Sequence, residues 1–153
     1  MPRRIKRRAA AALLAVLVLG PSAARAQEIH LASLAGEHLS DADLARGTAI
    51  VVVWASWSPR SRDVVERVQP LAGRWGARAR VLTVDFEEER QAIESFLGGR
   101  TFGVPVFLDT DGTFSKKYAI ATLPGLLVLK DGKSLYHGKL PEDPDSVIAA
   151  ALR

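Results

Sequence analysis

The 153-residue chain contains no cysteine. That absence excludes disulfides, iron–sulfur clusters, cysteine-ligated zinc and every mechanism that needs a thiolate. Histidine is scarce: the three residues His30, His38 and His137 are too few for a His-rich metal site. Acidic residues are missing from the first 26 positions, which hold six of the 21 basic residues. The overall charge of +4 therefore originates there, and beyond it 15 bases stand against 17 acids, a net of −2. No clustered basic surface of the kind that neutralises phosphates is expected, so nucleic acid is not expected as a partner. Repeats, low-complexity tracts and interdomain linkers are also missing. What remains, 48% hydrophobic and 25% charged, suits one ordinary globular domain.

Residues 1–26 read as a secretory signal peptide. A basic head, Met1 to Arg8, precedes twelve apolar residues from Ala9 to Gly20; Pro21 and Ser22 then break the run, and Ala24-Arg25-Ala26 supplies small residues two apart. The run is too short to span a bilayer, which needs about 20 apolar residues. No cysteine follows to carry a lipid, and the surroundings of Arg3-Arg4 fit a twin-arginine signal poorly. The expectation is cleavage after Ala26, a periplasmic or secreted domain spanning 27–153, and no stable membrane anchor afterwards. That domain is long enough to be held by its core alone, without the disulfides that exported proteins often use.

Along the domain, hydrophobic periodicity alternates between strand and helix. Ala49 to Trp54 is a β-branched run suited to a strand buried on both faces. Val64, Val65, Val68, Leu71, Ala72 and Trp75 form one helical stripe between Pro59 and Gly76, with Pro70 expected to kink or break it. Arg80–Asp85 reads as a second strand, and 87–97 as a helix with Ala92, Ile93, Phe96 and Leu97 inward. Val104–Leu108 reads as a short strand, and Phe114 to Tyr118 as one helical turn. Asp131-Gly132 between two strand-like runs predicts a type I′ hairpin, and Asp143–Leu152 a closing helix. This order argues one α/β layer domain.

The segment Trp54-Ala-Ser-Trp-Ser-Pro-Arg-Ser-Arg62 resembles the active-site segment W-A-S-W-C-P-x-C-R of thioredoxin-like proteins of the TlpA/ResA type. Leu34 to Asp41, Phe107-Leu-Asp-Thr-Asp-Gly112, Tyr118 to Pro124 and the Asp131-Gly132 hairpin resemble further segments of that type in the same order. The resemblance implies a thioredoxin-like α/β fold: a mixed central sheet flanked by helices, with a TlpA-type N-terminal addition. It also implies a cis proline at Pro124 facing the turn, and would attract the label thiol-disulfide oxidoreductase. The chemistry does not carry over. Both cysteine positions are serine, Ser58 and Ser61, and a hydroxyl can neither attack nor hold a disulfide at neutral pH. The family's helper glutamate corresponds to Val64, and its usual proline to Glu66. Thiol-disulfide exchange and peroxidase activity are excluded.

Several residues remain candidates for other work. Ser58 is either a nucleophile, which would need a base within reach, or a helix cap. Ser58 to Arg62, with Arg60 and Arg62, is either an anion site or a solvated basic turn. Trp57 and Leu123 with Pro124 either pack internally or bind an extended peptide, because the resemblance implies that the residue before the proline pairs its backbone with a substrate segment. Asp85 with Glu87-Glu88-Glu89 is either a cation site or, as favoured, an acidic helix start that complements the macrodipole. No histidine is assigned a role, and no cofactor or metal is expected. The leading reading is an exported, redox-inactive binding module, chaperone or assembly partner. A protein or extended peptide of the cell envelope would meet Trp57, Ser58, Pro59, Arg60, Ser61, Leu123 and Pro124. The alternatives are a weak hydrolase that uses the serine turn and a structural subunit of an envelope complex.

Overall fold

A computed structural model describes residues 27–153; the signal-peptide reading of 1–26 lies outside the described residues. Seven strands form one mixed sheet: β1 (His30–Ser33), β2 (His38–Ser40), β3 (Thr48–Trp54), β4 (Arg80–Phe86), β5 (Val106–Asp109), β6 (Gly125–Lys130) and β7 (Lys133–Lys139). Their order across the sheet is β2-β1-β5-β4-β3-β6-β7. β3 runs parallel to β4 and antiparallel to β6. The helices are α1 (Asp41–Leu44), α2 (Val64–Trp75), α3 (Arg90–Leu97), α4 (Thr113–Lys117) and α5 (Pro144–Ala151). This is the thioredoxin-like arrangement.

β3 is apolar from Ala49 to Trp54 because both of its faces are covered. Ile50, Val52 and Trp54 join the core that holds the buried face of α2, Ile93 and Leu97 of α3 and Ile148 of α5. Ala49, Val51 and Val53 join the opposite core, with Leu44 of α1 and Phe114 of α4. Burying each large apolar side chain contributes about 1.5–3 kcal/mol, so the strand that leads into the turn at Ser58 is anchored on both sides. The N-terminal β1–β2 hairpin, which periodicity missed because its strands are so short, pairs antiparallel with β5. Asp131 and Gly132 have φ of 48° and 78°, the left-handed pair that a type I′ turn requires.

Four expectations are corrected. Pro70 does not break α2, which runs through it. Its ring lies on the exposed side, and the carbonyl it leaves without a donor belongs to Glu66, also exposed. β5 starts at Val106 rather than Val104, because Pro105 has no N–H to give the ladder. Ala92 is exposed, while Ile93 and Leu97 carry the buried face of α3. That helix starts at Arg90, not Glu87: Glu87 has φ of 55° and cannot be helical.

Candidate functional site

The site forms where β3 ends. After Trp54 the chain turns, with Ser58 N–H donating to Ala55 O at 3.2 Å, and enters a 3₁₀ turn at Pro59–Ser61 before α2 begins. Pro59 suits the first helical position because it has no N–H to leave unpaired. Ser58 stands at the cap position of that turn but makes no side-chain cap bond, which corrects the capping expectation. Its hydroxyl instead donates across the site to Leu123 O at 3.4 Å. Ser61 is fully buried, and its hydroxyl accepts from Ala55 N–H at 3.5 Å. Both serines are therefore turned to internal bonds.

The opposite wall is the loop that ends in the cis peptide Leu123–Pro124. Gly125 permits its tight approach: a Cβ there would lie 2.9 Å from Thr122 O and 3.0 Å from Ile120. Pro124 is buried, and its carbonyl accepts from Leu140 N–H at 2.9 Å. Arg67 of α2 then donates to Leu140 O and Pro141 O at 3.0 and 2.8 Å, which ties the helix to this wall. Leu123 is half-buried, and its N–H meets no acceptor among the described residues. Trp57 is 60% exposed; its one aromatic neighbour is Phe86, with ring centroids 6.4 Å apart.

Two clefts meet along Leu123 and Arg60. One, of ≈ 490 Å³, lies between Trp57, Phe86 and Ile120. The other, of ≈ 700 Å³, runs from Pro59 past Pro124 toward Lys139. Of the residues expected at the site, Trp57, Pro59 and Arg60 are exposed and Leu123 is half-buried. Ser61 and Pro124 are buried beneath, and Ser58 is nearly so at 8%.

Behind the turn lies a carboxyl pair. Ser56 donates its N–H to Glu88 Oε2 at 2.6 Å and its hydroxyl to Glu88 Oε1. The acidic run reaches the helix only with its last residue, Glu89, which stands at the N-cap of α3. Glu87 and Glu88 precede α3, Glu88 is drawn back to hold the turn, and the first turn of α3 has no acid. Asp85, on β4 beside Trp54, is fully buried, and neither carboxyl oxygen has a hydrogen-bond partner. Burial first, then the neighbouring Glu88 and Asp109 carboxyls, push its pKa up to about 9, so it keeps its proton at neutral pH. Asp109, equally buried, has hydrogen-bond donors where Asp85 has none: it accepts from Phe114 and Ser115 N–H, each at 2.9 Å. Among the described residues no group of three or more potential ligands is placed to hold a metal.

Catalysis by Ser58 lacks a partner in this geometry. His30, His38 and His137 are exposed on β1, β2 and β7, and none bonds a serine of the turn. His30 meets Glu28 and His137 meets Ser134. Sequence reading missed Glu88, Phe86, Ile120, Arg67 and Lys139 at the site. An aspartate inside the apolar run Val81–Phe86 was the one available signal of a buried carboxyl on that strand.

The sequence matches the AhpC/TSA family over residues 23–137. The chain belongs to that family. It is 26% identical over 131 residues to the sporulation thiol-disulfide oxidoreductase A of Bacillus subtilis (strain 168), covering 78% of this chain and 79% of that protein. The crystal structure of StoA from Bacillus subtilis superposes with a TM-score of 0.66 at 20% identity, covering 81% of this chain and 96% of that one. A thiol:disulfide interchange protein DsbE from Chlorobium tepidum gives 0.70 at 21%, covering 84% and 95%. The pneumococcal exposed lipoprotein thioredoxin Etrx1 from Streptococcus pneumoniae gives 0.70 at 19%, covering 82% and 98%. The fold is theirs; the cysteines of a thiol-disulfide exchange are not in this chain.

Proposed function

We propose that this chain is an exported, redox-inactive family member that binds an extended protein segment in the groove between Trp57 and Leu123. The observation that carries the reading is the pairing of an exposed Trp57 with a half-buried Leu123 whose N–H lacks an acceptor. A partner strand could take that N–H and lay an apolar side chain against the tryptophan, a short β-augmentation that needs no thiol. Loss of the thiols removes exchange chemistry and leaves this contact intact. Export rests on the basic, apolar and small-residue order of residues 1–26, with cleavage after Ala26 and release to the periplasm or beyond.

Tagged chain recovered from its native envelope tests the reading. The protein that co-purifies with the wild type should remain with Ser58→Ala/Ser61→Ala and fall by about 30-fold or more with Leu123→Asp, which sets a charge in an apolar contact. The reverse pattern would make the serines the working groups and sink the binding reading.

A further inference from the structure

The larger cleft beside Leu123 is cationic, although the domain as a whole is not. Arg60, Arg62, Arg67 and Lys139 line it, together with Asp63 and Glu142. Four cations to two acids give the cleft +2 on a domain whose residues 27–153 sum to −2. None of the four cations is in an ion pair among the described residues. Arg67 is also held in place, with one Nη fixed on two main-chain carbonyls, so its charge is set before any ligand arrives. A fixed guanidinium loses little freedom when it meets a carboxylate.

We propose, building on the groove reading above, that the segment bound here is acidic. It would place carboxylates in the cleft of Arg60, Arg62, Arg67 and Lys139 while an apolar residue lies toward Trp57. Charge complementarity favours this occupant, and the free Leu123 N–H favours a peptide over other polyanions, since it offers one strand-type bond beside the cations. The two features share Leu123 and Arg60, so one extended segment can reach both.

The test uses the full chain and three end-labelled synthetic peptides of equal length, followed by fluorescence anisotropy. One peptide alternates Glu with Leu, one Lys with Leu, and one is Gly-Ser. The Glu-Leu peptide should bind about tenfold or more tighter than the Lys-Leu peptide, weaken as salt is raised, and lose that preference in Arg60→Glu/Arg62→Glu. Equal binding of the Glu-Leu and Lys-Leu peptides, both lost in Leu123→Asp, would overturn the acidic specificity and leave the groove reading standing. Binding of neither would overturn both. Binding of heparin with no binding of any peptide would assign the cleft to a different polyanion and also overturn the proposal. Arg67 stays unaltered throughout, because its bonds to Leu140 and Pro141 hold the wall.

Discussion

The inner side of the serine turn and the outer wall of the groove lie only a few residues apart, yet their polar groups are used in opposite ways. Inside, each hydroxyl has found a partner within the chain: Ser56 on Glu88, Ser58 on Leu123 O, Ser61 on Ala55 N–H. Outside, the Leu123 N–H has no acceptor, Trp57 is 60% exposed, and Arg60, Arg62 and Lys139 pair with no carboxylate among the described residues. Groups satisfied internally hold a shape. Groups left free beside a cleft are available for recognition. A nucleophilic Ser58 or Ser61 would have its hydroxyl on a base, and both are bonded to main-chain groups instead.

Four changes would sharpen or break that contrast. The largest effect is chemical. Ser58→Cys/Ser61→Cys should oxidise to an intramolecular disulfide, because side chains three apart across a 3₁₀ turn lie on one side. Thiol titration after exposure to air checks it, and two persistent free thiols in a folded protein would contradict the geometry. Next is the carboxyl behind the turn. Asp85 binds a proton in the folded chain up to about pH 9, against an ordinary value of 3.8. Its stabilising contribution is therefore full below pH 3.8 and is lost as pH rises toward about 9. Stability should fall across that window by up to about 1.4 kcal/mol per pH unit, and Asp85→Asn should flatten the slope. Urea unfolding of both proteins at several pH values measures it; equal slopes in the wild type and Asp85→Asn would contradict the raised pKa.

The third change separates recognition from folding. Trp57→Ala should weaken partner binding about tenfold and shift stability by no more than about 0.5 kcal/mol, because the ring is mostly solvated. Comparable losses in both would place the ring in the core's service instead. The smallest effect is Ser58→Ala. It removes a long 3.4 Å bond and should cost under about 1 kcal/mol in thermal unfolding, with binding nearly unchanged.

The sheet was legible because buried strands such as Ala49–Trp54 carry unbroken apolar runs, and the hairpin because Asp131-Gly132 suits one turn type. The serine turn was legible through its resemblance to W-A-S-W-C-P-x-C-R. What escaped was set by contacts distant in sequence. Glu88 sits in an acidic run that looks like a helix start, and only its reach to Ser56, 32 residues away, gives it another role. Arg67 falls between the apolar positions of α2 and reads as a solvated residue until Leu140 and Pro141 come alongside. Arg60 and Arg62 of the turn already offered a possible anion site, but Arg67 of α2 and Lys139 of β7 join them in one cleft only after folding, and the domain's net −2 gave no sign of it.

The most direct measurement is photo-crosslinking in the native envelope, with the probe at Leu123 and a control probe at exposed Glu94 on α3. The account predicts one discrete adduct from Leu123 alone, whose crosslinked segment, mapped by mass spectrometry, is extended and rich in Asp or Glu. Adducts from Glu94 alone, or from neither position, would contradict it and show that the groove holds no partner.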